Sequence, residues 1–445
     1  MPLDAFDLST SSTSADATAA FEEGVRGLAA HRPSTGIALG RALEADPDHV
    51  PALALKGFAN LILAREELAA PARQALAEAR RALAAREDGT ADERALVEAL
   101  AYAVEDRFTQ AADCLDLRFA DRPATFLPFK IAHALRFMLG DAAGMLAASQ
   151  RMMTVWCPGR PAAGFLLGCH AFAIEEHGAY AAAEAYGRQA VAMEPDDAWG
   201  LHAVSHVHEM RGETASGIAW LEGSRGSWSR CNNFSFHMAW HLALLHLDRG
   251  EHERVLRLYD DEVRPTPTDD FRDMANAVSL LWRLQRLGVD VGFRWAELAE
   301  IARKRRADTT LVFASLHSLI ALVALGDRPA AAELVMALQV RAQGHGDQAR
   351  VAAELGLPLA RTITGLGGER GSLDRLAAAL PQIGGSNAQR DLFVLALAET
   401  ASRRGDAPAL RAIRDARRRL KAEDRLIAAV DGRASSPSAR LWAHR

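Results

Sequence analysis

Residues 248–251 read Asp-Arg-Gly-Glu, and residues 211–213 carry the same Arg-Gly-Glu phrase 38 residues earlier. A glycine of this kind ends a helix in the left-handed conformation, and an acidic residue after it begins the next helix. Such glycines recur at intervals of 38, 34, 38, 38, 38, 39 and 40 residues, at Gly140, Gly178, Gly212, Gly250, Gly288, Gly326, Gly365 and Gly405. A helical hairpin that recurs at this period is typical of a helical solenoid.

Other phrases predict further hairpin ends. The stretches 44–48 and 192–197 each place a proline just after a helix, with acidic residues positioned to cap the next helix, as between tetratricopeptide repeats. Near residues 66–67 and 105–106, acidic residues replace glycine at the turn. We therefore predict an all-α, right-handed, tetratricopeptide-like solenoid of roughly ten or eleven hairpins with a concave polar groove. The predicted organisation is an extended arm over 1–15, a solenoid over 16–423 and a frayed tail over 424–445.

Composition excludes several classes of protein. The formal net charge of −5 lacks the basic surplus of a general nucleic-acid binder. The basic clusters at 303–306 and 417–419 are interpreted as solvated helix faces. No apolar stretch is long enough to span a bilayer, the first twenty residues lack the features of a secretory signal, and the four cysteines have no paired spacing. These features predict a cytoplasmic protein with reduced thiols that binds neither nucleic acid nor membrane.

Histidines are concentrated in the middle of the chain, where 11 of the 15 fall between residues 133 and 317. His202 and His206 are four residues apart, as are His237 and His241, and each pair precedes a turn glycine on the first helix of a hairpin. Glu209 follows at a spacing that places it on the same helix face as the first pair. First helices pack side by side in a solenoid, so we predict that these five residues line one site and act as catalytic residues.

Three interpretations of this cluster remain open at the level of sequence. The histidines can be structural, making hydrogen bonds between helices. They can bind a divalent metal such as zinc, with His202, His206, His237 and His241 as ligands. They can also form a cofactor-free active site in which imidazoles act as general acid and general base, because the pKa of histidine lies near neutral pH. The third interpretation, without a cofactor, is the leading one.

The residues around the cluster favour a polar pocket for a small ligand. The predicted enzyme carries out hydrolysis or elimination on a small polar organic substrate, as a hydrolase or lyase. The alternative is a non-catalytic tetratricopeptide scaffold that binds a peptide or partner protein, and a metal-dependent enzyme is the third prediction. The predicted substrate-binding residues are Lys130, His133, His170, Asn233, Trp240, Asn276, Arg283 and His317.

Several phrases resemble those of the tetratricopeptide repeat protein 38 family over nearly the whole chain. The matching phrases lie at residues 8–12, 130–140, 197–210, 233–244, 279–284 and 295–299. The resemblance implies a tetratricopeptide-like solenoid with a polar groove. Three positions depart from the family pattern: His170 replaces a tyrosine, Ala314-Ser315 replaces Asn-Asp, and Asn276 replaces an aspartate. The departures remove two carboxylates and imply either a different ligand or lost catalysis.

Overall fold

The computed structural model describes residues 3–86, 88–365, 372–422 and 424–432. These residues form helices and no β-strand, with one isolated bridge between Leu3 and Ser9. The all-α prediction is therefore confirmed. The chain packs as two units, unit 1 with Met1–Val204 and Arg225–Phe234, and unit 2 with Ser205–Ser224 and Ser235–Arg445. Among the described residues, no helix combines the length and the apolar character needed to cross a membrane.

Unit 1 is built from consecutive antiparallel helix pairs. Its helices are α1 (Ala15–Ala29), α2 (Thr35–Ala45), α3 (Val50–Ile62), α4 (Ala69–Ala85), α5 (Ala91–Ala103), α6 (Phe108–Arg118), α7 (Phe126–Leu139), α8 (Ala142–Met153), α9 (Ala163–Glu175), α10 (Tyr180–Met193) and the first half of α11 (Ala198–Arg211). The N-terminal arm is fastened to α5, because Ser9 and Ser11 donate hydrogen bonds to Asp92 and Glu93.

Unit 2 begins in the second half of α11. The following helices are α12 (Thr214–Gly223), α13 (Arg225–Trp228), which belongs to unit 1, α14 (Phe234–Asp248), α15 (His252–Leu258), α16 (Phe271–Arg286), α17 (Arg294–Lys304), α18 (Val312–Leu325), α19 (Arg328–Arg341), α20 (Asp347–Val351), α21 (Leu357–Thr364), α22 (Leu373–Ala379), α23 (Asn387–Arg404), α24 (Ala407–Arg418) and α25 (Arg425–Gly432). Of the predicted tail, 425–432 form α25, which packs on α23, and 433–445 lie outside the described residues.

The predicted left-handed conformation is confirmed at all eight glycines, whose φ angles lie between +66° and +80°. At the α18–α19 turn, Gly326 is left-handed and the Asp327 side chain accepts a hydrogen bond from the Ala330 amide at 3.2 Å. At the α5–α6 turn, which has no glycine, Asp106 is the left-handed residue, with φ of 59°. Near residues 66–67, by contrast, Ala64 is the left-handed residue, with φ of 49°, and the two glutamates begin a short 3-10 helix.

Each unit closes on itself through contacts between residues far apart in sequence. In unit 1, Arg32 donates to Asp196 at 2.6 Å, and the Asn232 amide donates to the His31 carbonyl at 2.7 Å. In unit 2, the Ala422 amide donates to the Met210 carbonyl at 2.7 Å. Neighbour-by-neighbour packing of repeats does not by itself produce such contacts. The handedness and the concave groove of the predicted solenoid stay predictions.

Candidate functional site

Two helices of unit 2 bring predicted catalytic residues together. The second half of α11 carries His206 and Glu209, and α14 carries His237 and His241. The three- and four-residue spacings put each set on one helix face. All four side chains are buried, and the most accessible, His237, is 8% exposed. The structural arrangement therefore agrees with a shared site for these four residues inside unit 2.

A continuous series of polar contacts joins three helices, α11, α14 and α16, around this site. His241 Nδ1 lies 2.9 Å from Glu209 Oε2, and His237 Nδ1 lies 2.9 Å from Asn276 Oδ1 on α16. The two remaining ring nitrogens face one another, with 3.2 Å between His241 Nε2 and His237 Nε2. The His206 ring lies 4.7 Å from the His241 ring between centroids. We refer to His206, Glu209, His237, His241 and Asn276 as the histidine centre.

Burial keeps the imidazoles of His237 and His241 neutral. It lowers the pKa of His241 to about 4, although the hydrogen bond to Glu209 acts in the opposite direction. Burial and the neighbouring His241 hold the pKa of His237 well below its usual range. For Glu209, burial alone would raise the pKa, but Lys421 and His241 outweigh it and hold that pKa well below the ordinary value. The site therefore combines neutral imidazoles with an ionised carboxylate at neutral pH.

The histidine centre has the spacing of a metal site. One ligand atom from each of His206, His237 and His241 lies within 4.8 Å of the others. Imidazole nitrogens are common ligands of zinc and of other transition metals. His202, the fourth predicted ligand, is buried one helical turn before His206 on α11 and belongs to unit 1. Its role as a ligand stays a prediction.

A group of buried charges continues from Glu209 and was missed by sequence reasoning. Lys421 Nζ lies 2.8 Å from Glu209 Oε1, and Arg417 forms two hydrogen bonds with Asp391, at 2.7 and 3.0 Å. Arg417 also donates to Asp424 at 2.5 Å. The interpretation of 417–419 as a solvated face is wrong for Arg417, because its carboxylate partners draw it into the interior. Only the three-residue spacing from Lys421 to Asp424 could have signalled an ion pair.

Three more predicted substrate-binding residues lie in unit 2. Trp240 stacks on the His237 ring at 5.2 Å between centroids, and the Arg283 guanidinium lies 5.8 Å from the Trp240 ring. Arg283 is 3.8 Å from Asp391 and is therefore part of the buried charge group. His317 Nδ1 lies 2.8 Å from the Phe313 carbonyl, and its ring contacts Phe393. Trp240 and Arg283 adjoin the histidine centre, whereas the contacts of His317 are mainly aromatic.

The other predicted binding residues lie in unit 1, where Lys130 and His133 contact Trp199 together with the predicted catalytic residue His202. The Lys130 ammonium lies 4.7 Å from the Trp199 ring, and the His133 and His202 rings lie 6.0 and 5.1 Å from it. Burial holds the pKa of His133 well below its usual range. These three residues form a largely aromatic cluster inside unit 1.

Two predicted residues of unit 1 have other surroundings. His170 Nδ1 lies 3.0 Å from the Ser149 hydroxyl, and the His170 ring contacts Tyr186 edge-on. Asn233 is half-buried just before α14. An open pocket of about 460 Å³ in unit 1 is lined by residues of the N-terminal arm and α1, with Asp88, and by none of the predicted site residues. The pocket therefore gives no support to the predicted ligand site.

The histidine centre is consistent with metal binding and with metal-free proton transfer, and comparison with known families does not choose between them. No protein-family model matches the chain. The resemblance to the tetratricopeptide repeat protein 38 family therefore stays a prediction.

Proposed function

We propose that the histidine centre binds a divalent transition metal, with zinc the best fit. We further propose that the protein uses this metal to catalyse a hydrolysis or elimination reaction on a small polar organic substrate. The observation that carries the proposal is the pair of facing Nε2 atoms of His237 and His241, 3.2 Å apart, while both Nδ1 atoms are held by oxygen acceptors. The proposed metal ligands are His206, His237 and His241.

The hydrogen-bond partners determine which nitrogen of each ring is protonated. The Glu209 carboxylate and the Asn276 amide oxygen can only accept, so Nδ1 of each ring donates to them. A neutral imidazole then has its lone pair on Nε2. Two lone pairs facing each other repel unless a positive species lies between them, and a metal ion satisfies both.

The dimensions also support a metal. Tetrahedral zinc with bonds of about 2.0–2.1 Å to nitrogen separates its ligand atoms by roughly 3.4 Å, close to the observed 3.2 Å. Metal-bound histidines usually donate their other N–H to a carboxylate or carbonyl, which is the arrangement of Glu209 and Asn276 here. Three protein ligands leave a fourth position for water or substrate, as in catalytic zinc sites. When bound there, zinc would polarise the substrate and lower the pKa of a coordinated water to about 7.

A metal-free acid/base site is the second candidate, and Asn276 carries it. Its side-chain nitrogen has no hydrogen-bond partner among the described residues. A half-turn of the amide would let this nitrogen donate to His237 Nδ1 and place one proton between the two Nε2 atoms. Every hydrogen bond from Asn276 through the two histidines to Glu209 would then have a donor and an acceptor with both imidazoles neutral. The proton between the Nε2 atoms could move between His237 and His241, so that one acts as acid and the other as base.

The scaffold alternative requires an open groove for an extended peptide. Closure of each unit by contacts such as Arg32–Asp196 and Met210–Ala422 gives this alternative less support. The charged groups near the histidine centre are also paired within unit 2, as in the Glu209–Lys421 and Asp391–Arg417 pairs. A carboxylate clamp for a peptide end needs basic groups that are not already neutralised.

Metal analysis of the purified protein tests the proposal directly. We expect wild-type protein to bind about one equivalent of Zn²⁺, and His206→Ala, His237→Ala and His241→Ala each to weaken binding by about 100-fold or more, because each removes a direct ligand. His246→Ala is the matched control, since His246 lies on α14 but contacts Glu251. Wild-type protein that binds no Zn²⁺ in calorimetric titration would contradict the proposal.

A turnover assay separates the enzyme from the scaffold. Small esters, amides and hydroxy acids should be screened with zinc-loaded and metal-free protein. We expect His206→Ala and His241→Ala to reduce turnover by roughly two to four orders of magnitude while the far-ultraviolet circular dichroism stays unchanged. Turnover by metal-free wild-type protein would favour the acid/base candidate. Peptide binding that is equal in wild type and both variants, with no turnover in any of them, would favour the scaffold.

A further inference from the structure

The short connection between α24 and α25 contacts the end of α11 at two points. The Lys421 ammonium donates to Glu209 Oε1 at 2.8 Å, and the next backbone amide, of Ala422, donates to the Met210 carbonyl at 2.7 Å. Lys421 is 212 residues from Glu209 in sequence, and its side chain is 6% exposed. The end of α11 is therefore held by a lysine from the opposite end of unit 2.

The two oxygens of Glu209 are bound by different groups. Oε1 accepts from Lys421, and Oε2 accepts from His241 Nδ1. The Glu209 side chain has no solvent-exposed surface. A buried carboxylate without a cation partner takes up a proton or becomes strongly destabilising. Lys421, whose ammonium lies 2.8 Å from Oε1, is the cation that balances Glu209.

Lys421 is itself held in place by acidic residues. Its ammonium lies 4.0 Å from Asp391 and 3.9 Å from Asp424, and Arg417 binds both of these carboxylates. The lysine therefore has a defined position between Glu209 on one side and an arginine-bridged acidic pair on the other. A cation in this position favours the orientation of Glu209 in which Oε1 accepts from Lys421 and Oε2 accepts from His241 Nδ1.

We propose that Lys421 is a positioning residue of the histidine centre, which holds Glu209 so that His241 donates from Nδ1 and offers its Nε2 lone pair to the metal. The inference rests on the proposed function, since it concerns metal binding at the same site. A lysine with a purely structural role would affect the stability of unit 2 and leave the metal affinity of the folded protein unchanged.

Full-length wild type, Lys421→Met and Lys421→Arg test the inference, with Lys304→Met as control because Lys304 is solvent-exposed on α17. The readouts are the Zn²⁺ dissociation constant from chelator competition and the visible spectrum with Co²⁺ in place of Zn²⁺. We expect Lys421→Met to weaken Zn²⁺ binding by about 10–100-fold, as loss of a group behind a metal ligand does, and to alter the Co²⁺ spectrum. Lys421→Arg, which keeps the cation, should retain most of the affinity, and Lys304→Met should retain all of it.

A second pair of variants keeps the test valid if Lys421→Met folds poorly. Glu209→Gln removes the buried anion that Lys421 balances, so Glu209→Gln with Lys421→Met leaves neither charge unpaired. We expect Lys421→Met to change Zn²⁺ affinity by less than about twofold in the Glu209→Gln background, because Lys421 acts on His241 only through Glu209. Wild type that binds Zn²⁺ with Lys421→Met binding equally well would overturn this inference alone. Wild type that binds no Zn²⁺ would overturn the proposed function and the inference with it.

Discussion

Burial determines the charge of several interior histidines of this protein. The pKa values of His170, His241 and His317 are each lowered to about 4, in every case chiefly by burial. A histidine of this kind is neutral at physiological pH and is available as a ligand or hydrogen-bonding group. At these three positions the dense histidine pattern of the sequence therefore corresponds to neutral interior rings.

The low pKa of His317 predicts a pH dependence of stability. In the unfolded chain the imidazole takes up a proton near pH 6.5, whereas in the folded protein it does so only near pH 4. Acid therefore favours unfolding, and this contribution to stability is present above pH 6.5 and is lost as pH falls toward 4. His317→Leu removes the effect. The free energy of unfolding of the variant minus that of wild type should increase by about 2–3 kcal/mol as the pH is lowered from 7 to 4.5, because only wild type loses this contribution.

Urea unfolding at several pH values measures this difference. Leucine fits the aromatic surroundings formed by Phe313 and Phe393, so we expect the variant to fold at neutral pH. A difference between variant and wild type that does not change with pH would show that His317 is not the group responsible.

At the scale of helices, the turns explain the regular period of the chain. A left-handed glycine ends one helix, and at Gly140-Asp141, Gly326-Asp327 and Gly405-Asp406 the aspartate caps the next. Where glutamate follows glycine, it instead contacts a histidine of the preceding helix, as Glu213 contacts His208 and Glu251 contacts His246. Both arrangements satisfy polar groups at a helix end, and both are local.

Replacing Gly326, at a turn, and Gly40, inside a helix, with alanine should have opposite effects on stability. A Cβ at either position meets nothing within 4 Å, so packing does not contribute to the comparison. Gly326 has φ of +78°, and Gly326→Ala should lower the free energy of unfolding by about 1 kcal/mol through left-handed strain. Gly40 lies inside α2, and Gly40→Ala should raise it by about 0.5–1 kcal/mol. Thermal unfolding measures both, and stabilisation by Gly326→Ala would contradict the assigned turn.

At the scale of the molecule, the two units are more than linear stacks of hairpins. In unit 2, Arg283 on α16 contacts Asp391 on α23, and Asp391 contacts Arg417 at the end of α24. In unit 1, Arg26 on α1 contacts Glu194 at the end of α10. These contacts join helices of one unit that are distant in sequence, so the loss of one contact should affect several of those helices together.

Asp391→Ala tests this closure in unit 2. The change leaves Arg283 and Arg417 without their shared carboxylate in the interior, which should lower the free energy of unfolding by about 3–5 kcal/mol. Asp415→Ala is the matched control, because Asp415 pairs with Arg418 on the surface and should contribute less than about 1 kcal/mol. Hydrogen exchange should show that Asp391→Ala loosens α16, α23 and α24 together. Loss of protection confined to α22–α24 would indicate an open stack.

Local sequence determined the helical class, the hairpin period and the turn glycines, because left-handed caps and helix starts depend on residues adjacent in the chain. It also placed His206 with Glu209, and His237 with His241, on common helix faces. The tertiary structure alone decided that Lys421 and Asp391 meet near these histidines, and that each unit closes on itself. Such contacts join residues up to 212 positions apart, and they depend on how helices distant in sequence pack together, which no short phrase of sequence encodes.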